Sequence, residues 1–184
     1  YEKAGGAAGG VSAITSDGDT LTLRSRIKQH HTTGLSTVES AYKHKDRIIK
    51  EFKYFFNKGI DNPISKYKTF VIKAGLNDPK REDLLRWLDT HGIKYGYPMD
   101  DRARSVRGYS YFLGKYDSFR IQENDIIISS DQKKSVLTQV LFEPITHYED
   151  SLTYDITAWS IPYVYGLEAY ALETFIPPES FNIH

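Results

Sequence analysis

Cysteine is absent from the 184 residues, which removes disulfides, thiolate catalysis and cysteine-ligated metal together while leaving the compartment open. A charge surplus is absent too: lysine plus arginine and aspartate plus glutamate both total 24, for a formal net charge of +0. Nothing in that balance steers the chain toward nucleic acid or an anionic membrane, and polyanionic partners are not expected. Uninterrupted apolar runs are short, as in Ile126-Ile127-Ile128, against the ~20 residues a bilayer span needs. The opening Tyr1-Glu2-Lys3 carries neither the basic start nor the apolar segment of a secretory signal, and the chain reads as a piece of something longer.

What is present begins with residues Ala4 to Gly10, almost all glycine and alanine, a loop that cannot build a core alone. Ser16-Asp17-Gly18-Asp19 is a turn signal, and Thr20 or Thr22 can cap a helix starting after it. Leu23, Ile27, Leu35, Val38, Tyr42, Ile49, Phe52 and Phe56 then trace one helical face. Unbroken, a helix of roughly 34 residues would run ~50 Å, so Gly34 is the expected kink or break. Gly59 is the expected left-handed stop.

After Pro63, Thr69 to Ala74 reads as a buried strand, Asp78-Pro79 as a helix start with Leu84, Leu85 and Leu88 on one face, Gly92 as its stop, and Ile93 to Tyr97 as a second strand. Such a β-α-β unit implies parallel strands with a right-handed crossover. Tyr109 to Ile121 reads as a hairpin around Gly114 with aromatic cross-strand pairs, Ile126 to Ser129 as a third core strand, and Lys133 to Phe142 as a helix capped by Asp131 with Val136, Leu137, Val140 and Leu141 inward. The hairpin could extend the parallel sheet as an antiparallel edge or stand apart. Ser151 to Leu172, with Trp159 and four tyrosines, reads as helix or helix-turn started by Asp155 or Thr157, with Trp159 largely buried. Pro177-Pro178 marks a tail expected to fray. The expected fold class is α/β: a small, mostly parallel sheet with flanking helices, preceded by a long amphipathic helix.

Complete catalytic sets are hard to assemble from these residues. No G-x-G-x-x-G or P-loop lysine pattern follows the first strand. His30, His31 and His44 lack the i, i+3 or i+4 spacing that puts ligands together on a helix, so no metal site is assigned to them. Ser130, between a strand and a helix, could be drawn with His147 and Asp150 as a triad, but Ser129, Asp131 and Gln132 stand where a nucleophile elbow needs glycine. Glu149, Asp150 and Asp155 are candidate acid/base carboxylates, with capping and solvent exposure as the simpler roles.

Three phrases, Tyr1-Glu2-Lys3-Ala4-Gly5-Gly6, Thr33-Gly34-Leu35-Ser36-Thr37-Val38-Glu39 and Asp150-Ser151-Leu152-Thr153-Tyr154-Asp155-Ile156-Thr157-Ala158-Trp159-Ser160, resemble the carboxyl-terminal part of large bacterial proteins of the M14 zinc carboxypeptidase family. There a peptidase domain is followed by a domain similar in fold to class I glutamine amidotransferases and flavodoxin-like sheets. The resemblance implies that Glu2 matches the general base that takes a proton from the zinc-bound water in the intact parent, although Lys3-Ala4-Gly5 stands where an arginine-aspartate pair is usual. It implies zinc for the parent but none for this chain, because no histidine here has glutamate three residues on. The amidotransferase cysteine is likewise missing.

The expected organisation is therefore 1–59 as the end of a peptidase domain, 60–176 as the amidotransferase-like domain and 177–184 as a tail. The expected function is a non-catalytic accessory domain that braces the peptidase domain or shapes its substrate cleft. Its partners would be the upstream peptidase domain and a peptide substrate, in a secreted or periplasmic parent. The alternatives are a hydrolase using Ser130 or the Asp150 region, and a peptide- or carbohydrate-binding module using exposed tyrosines.

Overall fold

Thr22 both ends a hairpin and starts a helix: its Oγ1 accepts from the Ser25 N–H at 3.1 Å while Ser25 Oγ accepts from the Thr22 N–H at 3.1 Å, a reciprocal cap. The computed structural model describes residues 12–61, 64–73, 75–98, 104–145 and 160–178, and divides the chain into two compact units, Tyr1–Lys53 and Tyr54–His184. In the first, antiparallel strands β1 (Ser12–Ile14) and β2 (Thr20–Thr22) lead into helix α1 (Leu23–Lys43). Helix α2 (Lys45–Asp61) comes next, and its sequence crosses the boundary between the units. Helix α1 runs straight through Gly34 and the break comes at His44, whose N–H still reaches Ser40 O at 3.0 Å. Gly59 does not stop a helix either; it lies inside α2.

A five-stranded sheet organises the second unit. Its strands are β3 (Thr69–Lys73), β4 (Arg104–Ser110), β5 (Lys115–Ile121), β6 (Ile126–Ser129) and β7 (Glu168–Leu172), in the order β5-β4-β7-β3-β6. Every neighbouring pair is antiparallel, so the mostly parallel, flavodoxin-like sheet expected from the sequence is wrong. The proposed β-α-β unit shows why. Helix α3 (Pro79–His91) is present, with Asp78 Oδ1 accepting from Lys80 N–H at 2.9 Å and Gly92 closing it at φ 64°. The segment after it, however, passes β3 by and meets β6 as a single antiparallel bridge between Gly96 and Ile127. That segment and β3 run in the same direction, but β6 is inserted between them in the opposite one.

Continuous apolar strands normally signal a parallel sheet because both faces are covered. Here both faces are covered although the sheet is antiparallel. Phe70, Ile72, Ile126, Ile128, Ala169 and Ala171 pack on one side with Leu84 and Leu88 of α3 and Phe142 of helix α4 (Ser135–Phe142). Val71, Ile127, Tyr170 and Leu172 pack on the other with Phe119, Ile121 and Ile176. Ile176 adjoins the stretch expected to fray, yet its N–H donates to the buried Thr69 Oγ1 at 2.9 Å, and Pro178 is buried.

Two further expectations need correction. Helix α4 begins at Ser135 without a side-chain cap, so Asp131 does not start it. Its inward face is Ser135, Thr138, Gln139 and Phe142, while Val140 is 49% exposed. The polar side turns inward because it has backbone to hold and a helix to meet: Gln139 Oε1 accepts from the Ser65 N–H at 2.8 Å, and a Cβ on Gly59 would come within 3.2 Å of both Ser135 Cβ and Val136 Cγ2. Gly59 thus serves close helix packing rather than helix termination. The aromatic block at 151–172 is not the helix its spacing suggests: its described part holds only the short helix α5 (Ile161–Tyr165) and then β7, the central strand of the sheet. Trp159, Asp155 and Thr157 lie outside the described residues.

Candidate functional site

Where β4 turns into β5, the chain places apolar rings in a position that turns usually give to polar residues. Tyr111-Phe112-Leu113-Gly114 makes the turn, with Gly114 N–H on Ser110 O at 2.9 Å and Leu113 N–H on Ser110 Oγ at 3.1 Å. Tyr111 N–H donates to Ala169 O at 3.1 Å, which ties the turn to β7. Against it sits α5, closed by Gly166 at φ 61°, a conformation that favours glycine. Leu167 N–H reaches back to Pro162 O at 3.1 Å, so the chain reverses from α5 directly into β7.

Turn, helix and strand line a half-open pocket of about 740 Å³, within the usual range for small-ligand sites. Its walls include Tyr111, Phe112, Leu113, Tyr163, Glu168 and Tyr170. Tyr111 is buried, its hydroxyl donates to the Phe142 carbonyl, and its ring meets Tyr163 edge-on at 5.2 Å. Phe112 is 86% exposed and Tyr163 44% exposed. Tyr170 donates its hydroxyl to Glu168 Oε1 at 2.9 Å and stacks on Phe119 at 3.7 Å. Burial raises the phenol of Tyr111 well above its ordinary range and that of Tyr163 above its own. Tyr170 is pushed up to about 12, by burial first and then by its bond to Glu168. The three phenols remain neutral at physiological pH, and among the described wall residues Glu168 supplies the one charge.

A second polar cluster gathers at Tyr116. Lys66 Nζ lies 2.8 Å from Tyr116 Oη and 3.2 Å from Glu173 Oε1, and Tyr116 also donates to Glu173. Hydrogen bonds to Tyr116 and Glu173 hold the Lys66 ammonium above its ordinary range, and bonds from Tyr116 and Lys66 hold Glu173 below its own. In the first unit, Thr33, Ser36, Thr37, Ser40, His44 and Arg47 line a groove between α1 and the start of α2.

The candidates from sequence fare unevenly. Ser130 is 3% exposed, and the turn around it is held by Ser130 N–H to Lys68 O at 2.9 Å and Asp131 N–H to Ser129 Oγ at 3.1 Å. Gln132 completes that turn: its side-chain amide accepts from Lys94 N–H at 2.8 Å and donates to Lys94 O at 3.0 Å, replacing a backbone partner. Glu2, His147, Glu149 and Asp150 lie outside the described residues. His30 and His31 are exposed on α1, and among the described residues no three histidines or carboxylates are grouped to hold a metal ion. Among the described residues no helix is long and apolar enough to cross a membrane.

Sequence reasoning missed Phe112 and Glu168, while Tyr163 belongs to the tyrosine-rich stretch already singled out. The available signal was Phe112-Leu113 inside a hairpin turn, two large apolar residues where solvent is expected. Comparison of the chain with family models, with curated proteins and with solved structures gives no match in any of the three.

Proposed function

We propose that the chain is the carboxyl-terminal piece of an M14 zinc-carboxypeptidase-like protein, a non-catalytic accessory module preceded by helices α1 and α2, which form the end of the peptidase domain and pack against the rest of it. The observation that carries this reading is the state of α1. It has no buried residue, yet Leu23, Ile27, Leu35, Val38 and Tyr42 are 48–73% exposed along it. In α2, Ile48, Ile49, Phe52 and Phe55 are 49–64% exposed. A run of large apolar side chains left in water over two helices marks an interaction surface rather than a scatter of surface residues. The sequence resemblance supplies the partner, and zinc would be held by residues of that partner.

The test uses the parent protein with its peptidase domain in place. Val38→Asp combined with Phe52→Asp should lower the melting temperature of the peptidase domain by several degrees, because two apolar contacts of about 1.5–3 kcal/mol each become buried charges. An unchanged melting temperature, or a parent sequence without a His-x-x-Glu and later histidine, sinks the reading.

A further inference from the structure

We propose that the cavity between the β4–β5 turn, α5 and β7 binds the cationic side chain of a lysine- or arginine-containing peptide. The inference rests on the cavity alone and does not depend on the parent assigned above. Three features of the wall point to that ligand. The first is aromatic: the exposed rings of Phe112 and Tyr163 line the space beside the buried Tyr111 and Tyr170, the last with one face covered by Phe119, and exposed ring faces attract a cation. The second is aliphatic: Leu113, Pro162 and Leu167 offer a surface to the methylene stem that a lysine or arginine carries behind its charge. The third is the Glu168 carboxylate. Its Oε1 is fixed by Tyr170 Oη at 2.9 Å, which aims an anion at the cavity while leaving acceptor capacity for a second donor.

Charge complementarity decides between a cation and the other ligands an aromatic pocket could take. An anion would face Glu168 and three neutral phenols. A sugar would find aromatic stacking surface, but among the described residues the polar side chains of the wall are few, namely Ser110, the tyrosine hydroxyls and one carboxylate. Of those, Ser110 Oγ already accepts from Leu113 N–H and the Tyr111 hydroxyl is spent on Phe142 O. One described cation, Lys80, flanks the cavity: its Nζ lies 3.4 Å from the point a Cβ on Gly166 would occupy. It flanks the Gly166 side, so a guest ammonium is directed to the Glu168 side, where attraction is greatest and repulsion least. At about 740 Å³ the cavity has room for more than one side chain, which favours a peptide over a free amine.

The experiment is titration of the whole chain, by heat or by NMR shifts, with acetylated and amidated Ala-Lys-Ala, Ala-Arg-Ala and Ala-Gln-Ala, and with an uncharged trisaccharide. The lysine and arginine peptides should bind and the glutamine peptide should bind about tenfold more weakly or not at all, the scale of one charge-assisted hydrogen bond. Glu168→Gln should bring the lysine peptide down to the glutamine level, and Phe112→Ala should weaken it several-fold. Both side chains are exposed, and the unfolding midpoint checks that each variant keeps its fold. Lys80→Ala should tighten the lysine peptide by about twofold through lost like-charge repulsion. Equal binding of the lysine and glutamine peptides, preference for the trisaccharide, no binding of any peptide, or a Lys80→Ala variant that weakens binding would each overturn the proposal.

Discussion

Strand β3 and helix α1 carry similar residues and meet opposite fates. In β3, Thr69, Phe70, Val71 and Ile72 are all 0% exposed, sealed on both sides of the sheet. In α1 the large apolar side chains are exposed and the helix is held by its cap and by local bonds such as the Lys43–Glu39 pair at 2.6 Å, itself well exposed. The difference separates what each unit owes to tertiary packing. Exposed pairs contribute at most about 1 kcal/mol, and in proteins most helical stability comes from packing an amphipathic face rather than from propensity. The sheet unit is held by its own packing, whereas α1 buries none of its residues.

The largest effect should come from the sheet. Phe70 packs against Phe142 with ring centroids 5.4 Å apart, and both are fully buried. Phe70→Ala should cost about 3–5 kcal/mol, a large part of what a domain of this size has. Tryptophan fluorescence reports it well, because Trp87 of α3 packs against the core of the second unit. The urea midpoint followed by fluorescence should drop by roughly 1–3 M, while helical ellipticity from α1 fades at low urea in both proteins. Coincident transitions by the two probes would show that the units unfold as one and would erase the contrast.

The same contrast explains how much could be read from the sequence. Three helix termini were legible because their chemistry is local: Thr22, Asp78 and Gly92 act within a few residues, whereas the stop expected at Gly59 and the cap expected at Asp131 were not formed. The hairpin around Gly114 was legible for the same reason, with Tyr109 opposite Tyr116. Pairing between distant strands was not. Leu167-Glu168-Ala169-Tyr170-Ala171-Leu172 is composed largely of good helix formers, and only its place between β3 and β4 makes it a strand. Nor could spacing show that the inward face of α4 would be Ser135, Thr138 and Gln139, since that depends on Gly59 and Ser65 arriving from elsewhere. The cavity was missed because its walls come from three segments that only the sheet brings together.

A smaller effect should appear at high pH, and only in the sheet unit. Burial raises the Tyr111 phenol well above its ordinary value of about 10, and Tyr170 shifts the same way to about 12. A folded-state value above the unfolded one means that the contribution is whole below pH about 10 and is lost as the pH climbs through the folded values. The loss is about 1.4 kcal/mol per pH unit for a tyrosine held neutral in the fold, the condition Tyr111 meets. Tyr111→Phe removes that group. At pH 7 it should be less stable by about 1–2 kcal/mol, because the Phe142 carbonyl loses its donor. Urea midpoints at pH 8, 10.5 and 11.5 should show the gap closing. Parallel pH profiles would mean that Tyr111 ionises in the fold as freely as in the unfolded chain.

The smallest effect is expected where the most apolar surface is on view. Val38 is 69% exposed on α1, and serine has nearly the same helix propensity as valine. In the isolated chain Val38→Ser removes no buried contact, so unfolding midpoints should agree within about 0.5 kcal/mol. Against a covering partner the same substitution loses apolar burial worth about 1.5–3 kcal/mol. The two outcomes are separated by measuring the variant alone, at several protein concentrations, and again in the parent protein. A loss above about 1 kcal/mol in the isolated chain that grows with concentration would mean that copies of this chain already cover the face. Helix α1 would then be held by packing as β3 is, only by packing between molecules.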